Sequence, residues 1–407
     1  MMASLVTSLR HYNFRLWIGA TLFAGTAVWM QRVAQDWLVL TELSDHSGVQ
    51  VGIVTGLQFL PILILSPWAG LVADRVDRRR LVQITQIINA STALALGLLV
   101  LGGWVHLWHV YLFAIITGIT SAFEMPSRQA LVRSMVPSGI LTNAVGLNAA
   151  AFNVARMLGP AMAGIIIDWV GTGWVFVINA TLCAVPIVML HLIRTTELAP
   201  TPPLPRAGGQ IRQGIAYVRS RHDILVVMLV VAVVAGFGFN FQLTSALMAT
   251  EVFHRAAGDY GLLGTATAIG SLLGSLVAAG RTGVRLRLVL GAALLFGAIQ
   301  MGMALAPGYL SFAILTVPLG IMATTMITAA NALVQLATPP EFQGRVMALY
   351  NLVFLGTTPL CSPIVGWVGE TFGARWSLLV GAFPSMTVVV IVAVWMWQYR
   401  RHTDANH

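Results

Sequence analysis

Four ionisable side chains lie inside long apolar stretches of the sequence, where charge is costly and usually functional. Arg32 and Asp36 are four residues apart and would share one face of a helix, while Glu124 and Arg156 lie in later apolar stretches. Burial favours the protonated form of a carboxylate, and a neighbouring arginine opposes this effect. Such a site can exchange a proton for a cationic or amphipathic substrate. We therefore predict that Asp36 or Glu124 carries a proton, with Arg32 or Arg156 as its modulator.

Each of these residues also has a structural interpretation. The alternative for Asp36 is a structural ion pair with Arg32, and for Glu124 it is a pair with Arg128, one helical turn further on. The alternative for Arg156 is a buried cation satisfied by its surroundings. The sequence leaves these alternatives open.

Polar and aromatic side chains follow one face in four of the apolar segments. At helical spacing such a stripe points in one direction. Phenylalanines in these stripes would contact the apolar part of an amphipathic substrate, or its cationic part. The candidate residues for contact with a substrate are Gln31, Gln35, Thr120, Phe123, Phe237, Asn240, Phe241, Thr244, Thr328 and Asn331, and a family resemblance given below implies that they line a cavity.

These side chains must be positioned by membrane-spanning helices. The residues Ala, Val, Ile, Leu, Met, Phe, Trp, Tyr and Cys make up 57% of the 407 residues, and charged residues only 9%. That composition excludes a soluble globular protein, in which about 25% of residues are charged. Helices are required because unpaired backbone groups are too costly in lipid. We predict twelve spans, over residues 14–40, 50–73, 81–103, 108–132, 141–168, 174–193, 223–250, 259–280, 288–306, 310–335, 345–369 and 376–398.

The arginines are distributed asymmetrically between the two sides of these twelve spans. Nineteen of the 23 basic residues fall on the side that holds both termini, and only Arg255 and Arg375 fall on the other. The positive-inside rule then places both termini in the cytoplasm. We expect a multi-pass protein of the bacterial cytoplasmic membrane.

The chain divides into two six-helix halves with a polar, proline-rich stretch between them. We predict an N-terminal half at 1–194, a cytoplasmic linker at 195–222 and a C-terminal half at 223–407. The halves resemble each other weakly at an offset of 202 residues, which favours a two-fold transporter architecture. The matched pairs are Pro137 and Pro339, Leu147 and Leu349, Gly164 and Gly366, Asp168 and Glu370, Gly171 and Gly373, Trp174 and Trp376, and Ala180 and Ala382.

The connection after the second span carries a recognisable motif. The run from Gly70 to Arg80, GLVADRVDRRR, resembles the loop signature G-x-x-x-D-R-x-G-R-[RK] of the major facilitator superfamily, with Asp77 in place of the second glycine. The resemblance implies an all-α membrane fold of twelve helices in two pseudo-symmetric halves, in which helices one, four, seven and ten line the central cavity. It also implies that Gly70 and Asp74, with Arg75 and Arg78, latch the cytoplasmic side against the start of helix eleven.

The fifth span resembles the antiporter motif of the same superfamily, G-x8-G-x3-G-P-x2-G-G. The matching positions include Gly146, Gly159, Pro160 and Gly164, with two of the glycines replaced by alanine. Small residues allow close helix packing, so we expect this helix to pack against the other half, where the glycines of the eighth span offer a matching face. In that family the motif accompanies proton-driven export.

Longer stretches, such as WMQRVAQDWLVL from Trp29, look like the bacterial efflux branch that holds enterobactin-exporter-like proteins and macrolide-drug:proton antiporters. The resemblance implies proton-coupled export of small amphipathic molecules by alternating access, and no enzymatic activity. The alternatives are a siderophore exporter, a lipid or lysolipid flippase of the same fold, and a membrane receptor or scaffold that transports nothing. We expect a monomer in contact with membrane lipid and a small-molecule substrate, without nucleic acid, metal or organic cofactor, and with the proton as coupling ion.

Overall fold

The computed structural model describes residues 7–199, 210–279, 281 and 283–404, and this part of the chain forms helices and no strands. We number the α-helices in chain order. They are α1 (Tyr12–Trp37), α2 (Gly48–Arg75), α3 (Arg78–Leu101), α4 (Leu107–Ser134), α5 (Leu141–Val170), α6 (Thr172–His191), α7 (Gln210–Ser220), α8 (His222–Val233), α9 (Phe241–Leu247), α10 (Ala257–Ala279), α11 (Leu286–Ala304), α12 (Tyr309–Ala337), α13 (Pro340–Gly356), α14 (Thr358–Phe372) and α15 (Ala374–Asp404).

Every predicted span corresponds to one of these helices or to a run of them. Eleven helical segments of the described chain are long and apolar enough to cross a membrane. The predicted first span is absent from these eleven, although α1 forms a helix of 26 residues. This helix contains the charged residues Arg15, Arg32 and Asp36, which lower its hydropathy.

In the described part of the chain, three short π-helical segments extend or interrupt the spans, and the sequence does not predict them. They cover Leu38–Leu43 after α1, Val234–Gly238 after α8 and Met248–Val252 after α9. The predicted span 223–250 is therefore a run of α- and π-helical turns. Wider turns of this kind occur at functional sites in helices.

The chain forms two compact units whose boundaries cross the sequence halves. The first unit contains residues 1–47, 57–205 and 255–265, and the second contains residues 48–56, 206–254 and 266–407. The beginning of α2 thus packs with the second unit, and the beginning of α10 packs with the first. The units group residues by their contacts, whereas the predicted domains divide the chain along its sequence. The predicted domain boundaries therefore stay a prediction.

Within the first unit α1 packs against α5 and α6, and α3 packs against α4 and α6. One buried cluster in this unit includes Phe14, Trp17, Leu131 and Leu190. Within the second unit α11 packs against α12 and α15, and α7 packs against α13. The helices therefore bury their apolar faces against neighbours in the same unit.

Candidate functional site

One face of α1 carries the residues of the candidate site. Trp29, Arg32 and Asp36 occur at intervals of three and four residues, and this spacing aligns side chains along a helix. Asp36 is buried, while Trp29 and Arg32 are half-buried. Trp29, one turn before Arg32, therefore lies on the predicted common face of Arg32 and Asp36.

A close crossing of α5 over α1 brings Arg156 to the same place. A Cβ atom added to Gly159 would lie 2.5 Å from the Cβ of Trp29 and 2.9 Å from the backbone oxygen of Thr26. Only glycine fits at this distance. Since Arg156 is one turn before Gly159, the crossing sets its guanidinium against the ring of Trp29, 5.1 Å from the ring centroid.

The guanidinium of Arg32 lies against two aromatic rings. Its Cζ is 5.0 Å from the ring centroid of Trp29 and 5.1 Å from that of Phe59 in α2. Both distances are within the range of a cation–π interaction. We call Trp29, Arg32, Phe59 and Arg156 the arginine–tryptophan cluster.

Asp36 has a different partner from the one considered in the sequence. The hydroxyl of Tyr260 donates a hydrogen bond to Asp36 Oδ2 at 3.3 Å, and the Tyr260 ring stacks on Trp37 with a centroid separation of 6.0 Å. Within the described chain, Asp36 forms no ion pair with Arg32 below 4.0 Å, although the two charges lie close enough to interact. The carboxylate is thus held by one neutral donor.

Tyr260 reaches this site because the beginning of α10 packs tightly on α5. A Cβ on Gly261 would overlap the backbone oxygen of Pro160, and a Cβ on Gly164 would lie 2.5 Å from the oxygen of Ala257. The hydroxyl of Thr265 also donates a hydrogen bond to the backbone oxygen of Met157 at 2.9 Å. The small residues of the antiporter-like motif therefore position the partner of Asp36.

Glu124 lies in a separate network in which both carboxylate oxygens accept hydrogen bonds. Arg128 Nη1 forms an ion pair with Oε1 at 2.9 Å, Gln86 Nε2 donates to Oε1 at 2.9 Å, and the Thr85 hydroxyl donates to Oε2 at 3.1 Å. Arg128 also donates a hydrogen bond to the Thr21 hydroxyl at 2.9 Å. The ion pair with Arg128, the structural alternative, is present.

Three predicted cavity residues of the first unit are buried and form hydrogen bonds with neighbouring helices. Gln31 accepts a hydrogen bond from Asn179, Gln35 accepts one from Gln58 at 3.0 Å, and Thr120 donates one to Asn89 at 2.7 Å. Phe123 is half-buried. The three polar side chains therefore connect helices of this unit.

The predicted cavity residues of the second unit fall into two groups. Asn240 and Thr244 are buried, and Asn240 donates to the backbone oxygen of Gly236 at 2.6 Å and accepts from the hydroxyl of Ser362. The half-buried residues of this set are Phe237, Phe241, Thr328 and Asn331.

The loop motif after α2 is described in part. The environment of Gly70 and the side chain of Asp74 are not described, so the predicted latch stays a prediction. Arg75 is exposed, and Arg78 is the first residue of α3. Asp77, which replaces a glycine of the signature, caps α3 by accepting hydrogen bonds from two backbone N–H groups of its first turn.

The expected packing of the fifth span on the eighth is present at the first turns of α10, where Gly164 faces Ala257, and Gly261 and Gly264 face Pro160; the other glycines of these spans pack elsewhere. Gly159 faces α1 within the same sequence half, and a Cβ on Gly146 would meet nothing within 4 Å. A Cβ on Gly270 would overlap the oxygen of Val317 in α12, and Gly274 also faces α12. The expected glycine face of α10 toward α5 is therefore limited to its first turns, because later turns pack on α12.

The sequence does not predict three aromatic residues that contact Arg32 or Asp36. Tyr260, Phe59 and Trp29 are aromatic residues in apolar surroundings, and their types alone do not distinguish them from core residues. The one feature of the sequence that indicates a role for Tyr260 is its position beside Gly261, because small residues allow a close contact between helices. Its partner on the other helix depends on the fold.

Two acids matched by the internal repeat cap the beginnings of helices. Asp168 Oδ2 accepts a hydrogen bond from the backbone N–H of Gly258 at 2.9 Å, and Glu370 Oε2 accepts one from the N–H of Val49 at 3.1 Å. A carboxylate at a helix N-terminus is favoured by the helix dipole. Among the described residues, no group of three or more His, Cys, Asp or Glu side chains could hold a metal ion.

Comparison with known proteins gives the family. Residues 3–406 match the model of the MFS-type transmembrane secretion effector family. The chain is 29% identical to the staphyloferrin A transporter of Staphylococcus aureus over 259 residues, which are 63% of this chain and 64% of that protein, so the match spans less than two thirds of that relative. It is 24% identical to the multidrug efflux pump Tap of Mycolicibacterium fortuitum, over 97% of this chain and 98% of Tap. It is 21% identical to macrolide efflux protein A of Streptococcus pyogenes, over 92% and 94%.

Solved structures share the fold at low sequence identity. A bacterial homologue of the human lysosomal transporter Spinster, in an inward-facing and unoccupied conformation, matches with a TM-score of 0.68 and 16% identity, over 94% of this chain and 95% of that one. A POT family transporter matches with a TM-score of 0.75 and 11% identity, over 95% and 96%. These relatives are transporters and not enzymes. The chain belongs to the transmembrane secretion effector family and is a multi-span membrane transporter of the major facilitator efflux type.

Proposed function

We propose that this protein exports small amphipathic molecules in exchange for protons, by alternating access, with Asp36 as the carboxylate that carries the proton. The observation that supports Asp36 is its single neutral partner, Tyr260, at 3.3 Å in a buried site. Protonation of Asp36 breaks no ion pair. Protonation of Glu124 would disrupt the ion pair with Arg128, which makes Glu124 a poorer carrier.

Export as the direction of transport is supported by relatives named as efflux proteins, among them macrolide efflux protein A and Tap. The distribution of the arginines supports cytoplasmic termini. The bacterial organisms of the relatives support a bacterial cytoplasmic membrane. We expect the protein to work as a monomer without a metal or organic cofactor, and with the proton as coupling ion.

A siderophore is the second candidate substrate. It is favoured by two guanidinium groups, of Arg32 and Arg156, that lie on one indole ring within a membrane unit. Siderophores are larger and more anionic than most drugs. The similarity to a protein named as a staphyloferrin A transporter agrees with this candidate.

Proton flux in everted membrane vesicles tests the proposal. Energised vesicles that contain the wild type are given a panel of drugs and siderophores, and a pH-sensitive dye reports alkalinisation of the lumen. We expect one substrate class to cause alkalinisation in wild type and in Glu124→Gln, and no response in Asp36→Asn. A wild-type protein that is present in the membrane and responds to no compound would argue against proton-coupled export of that panel.

Tyr260→Phe is the matched control for Asp36→Asn. It removes the hydrogen bond at the carboxylate but keeps the ring that stacks on Trp37 and the carboxylate itself. Proton flux should therefore persist in Tyr260→Phe with an altered pH profile. Equal loss of flux in both variants would indicate that the contact, and not the carboxylate, is required.

A further inference from the structure

The arginine–tryptophan cluster holds more positive charge than its surroundings neutralise. The Cζ atoms of Arg32 and Arg156 lie 5.0 and 5.1 Å from the ring centroid of Trp29. Because both distances are measured to Trp29, the separation between the Cζ atoms of Arg32 and Arg156 cannot exceed the sum of the two Cζ–centroid distances. Asp36 is the acid that interacts with Arg32, and its hydrogen-bond donor is Tyr260.

Neither guanidinium has an anionic partner in contact. Within the described ranges, no carboxylate oxygen lies within 4.0 Å of Arg32 or Arg156, and neither side chain donates a hydrogen bond to another described group. This differs from Arg128 in the same unit, which has both an ion pair and a hydrogen bond. The contacts recorded for Arg32 and Arg156 are aromatic.

Neighbouring polar groups are also hydrogen-bond donors without acceptors. The indole N–H of Trp29 and the side-chain NH2 group of Gln35 are buried and have no partner in the described structure. A buried donor without an acceptor is unfavourable, and an unpaired charge in a membrane is more so. The group that neutralises adjacent cations and accepts from such donors is an oxyanion.

We propose that Arg32 and Arg156 bind a carboxylate or a similar oxyanion on an amphipathic substrate, with the apolar part of that substrate against Trp29 and Phe59. This inference rests on the proposed function and defines its substrate class as acidic amphiphiles. Half-burial of all four side chains leaves part of each available for contact. Planar guanidinium groups suit carboxylates because they offer paired N–H donors.

The same oxyanion chemistry has two sources. One is a free amphiphilic acid, such as a carboxylate-rich chelator, and the other is the phosphate of a lysolipid. Both would place a negative group at the guanidinium pair and an apolar group at the rings. The experiment therefore includes one probe for each source.

Equilibrium dialysis with the full-length protein in nanodiscs measures this selectivity. The probes are pyrenebutyrate, its uncharged methyl ester, pyrenebutylamine and a pyrene-labelled lysophosphatidate, and protein-free nanodiscs correct for lipid partitioning. We expect wild type to bind pyrenebutyrate at least about tenfold more tightly than the ester, and the amine most weakly. Arg156→Gln and Arg32→Gln should each remove most of the preference for acid over ester, with ester affinity changed less than about twofold.

Arg133→Gln is the matched control, because it removes the same charge from an exposed position at the end of α4. It should leave all affinities at the wild-type level. Arg156→Lys keeps a cation and should keep a reduced preference for the acid, which covers the case in which Arg156→Gln does not fold. Thermal unfolding of each variant in detergent identifies misfolded protein.

Equal affinity of wild type for pyrenebutyrate and its ester would overturn the inference, and so would the same acid affinity in Arg156→Gln and Arg133→Gln. Tighter binding of the lysophosphatidate, with the same dependence on Arg156, would support the oxyanion site and identify a lipid as its source. The ester lacks the carboxylate that Arg32 and Arg156 are proposed to bind. Its proton-coupled export therefore tests the proposed function independently of the oxyanion site. Export of the ester without acid preference would leave the function standing and refute this inference alone.

Discussion

Glu124→Gln tests whether Glu124 stabilises the fold or carries protons. The carboxylate accepts three hydrogen bonds at 2.9–3.1 Å, one of them from Arg128. Removing one member of a fully buried ion pair costs about 3–5 kcal/mol, whereas an exposed pair contributes about 0–1 kcal/mol. The side chains of Arg128 and Glu124 are 22% and 12% exposed, so the cost should lie between these ranges. We expect a loss of about 2 kcal/mol in the free energy of unfolding.

Glu124→Gln lowers stability in two ways: it removes the attraction of the ion pair, and it leaves the charge of Arg128 unpaired. The double variant Glu124→Gln with Arg128→Met separates these two effects. Methionine fills part of the space of the arginine and has no charge to leave unpaired. Replacing a buried pair by apolar groups is often neutral, so the double variant should regain most of the stability, to within about 1 kcal/mol of wild type. Unfolding by SDS titration of the purified proteins, analysed as a double-mutant cycle, gives the interaction energy.

Two results would refute this reasoning. One is a Glu124→Gln protein with wild-type stability and no proton flux, which would make Glu124 the proton carrier. The other is a double variant that is less stable than either single variant, because then the orphaned charge is not the cause of the loss. Proton flux in vesicles is measured on the same variants, and we expect it to persist in Glu124→Gln once protein amounts are matched.

The remaining predictions concern the site and the helix contacts that position it. Asp36→Asn should abolish proton flux but lower stability by less than about 1 kcal/mol, since asparagine keeps an acceptor oxygen; a collapse in SDS unfolding would contradict this. Gly159→Ala should cost about 1–3 kcal/mol through overlap with Trp29, and an unchanged unfolding curve would show that the crossing relaxes. Asp168→Asn and Glu370→Gln should each cost about 0.3–1 kcal/mol, measured the same way, and their losses should add because the two acids cap different helices.

Most of the helices could be predicted from the sequence, because membrane spans are long, apolar and bounded by arginine-rich connections. The exceptions have local causes. The predicted first span does form a helix, α1, but it carries charged residues such as Arg32 and Asp36 and is not among the segments apolar enough to cross a membrane. The π-helical turns at 234–238 and 248–252 change the backbone hydrogen-bond register without a change in hydropathy. The periodicity of the sequence therefore does not predict them.

The candidate site was predictable only where its residues share a helix. The four-residue spacing of Arg32 and Asp36 correctly predicts a common face, but it does not determine whether the side chains form an ion pair. The contacts of Arg156 with Trp29, and of Tyr260 with Asp36, depend on how closely two helices cross. That distance is determined by tertiary packing, and the sequence records it only as scattered glycines.

The internal repeat at an offset of 202 residues preserves a packing arrangement. In the first unit Gly164 meets Ala257, and Asp168, one turn later, accepts from the backbone at the beginning of α10. In the second unit Gly366 meets Gly48, and Glu370, one turn later, accepts from the beginning of α2. A glycine followed after four residues by an acid thus provides close approach and a helix cap in each unit.

The same repeat does not preserve the chemistry of the candidate site. The offset places Thr358 at the position that corresponds to Arg156, and Cys361 at the position of Gly159. Gly236 now supplies the space, since a Cβ added there would lie 2.9 Å from the sulfur of Cys361. In the second unit the small residue, Gly236, therefore lies on the other helix of the crossing pair. Thr358, and not an arginine, occupies the position that corresponds to Arg156. The two units therefore share their packing, whereas the guanidinium groups proposed to select an acidic substrate belong to the first unit.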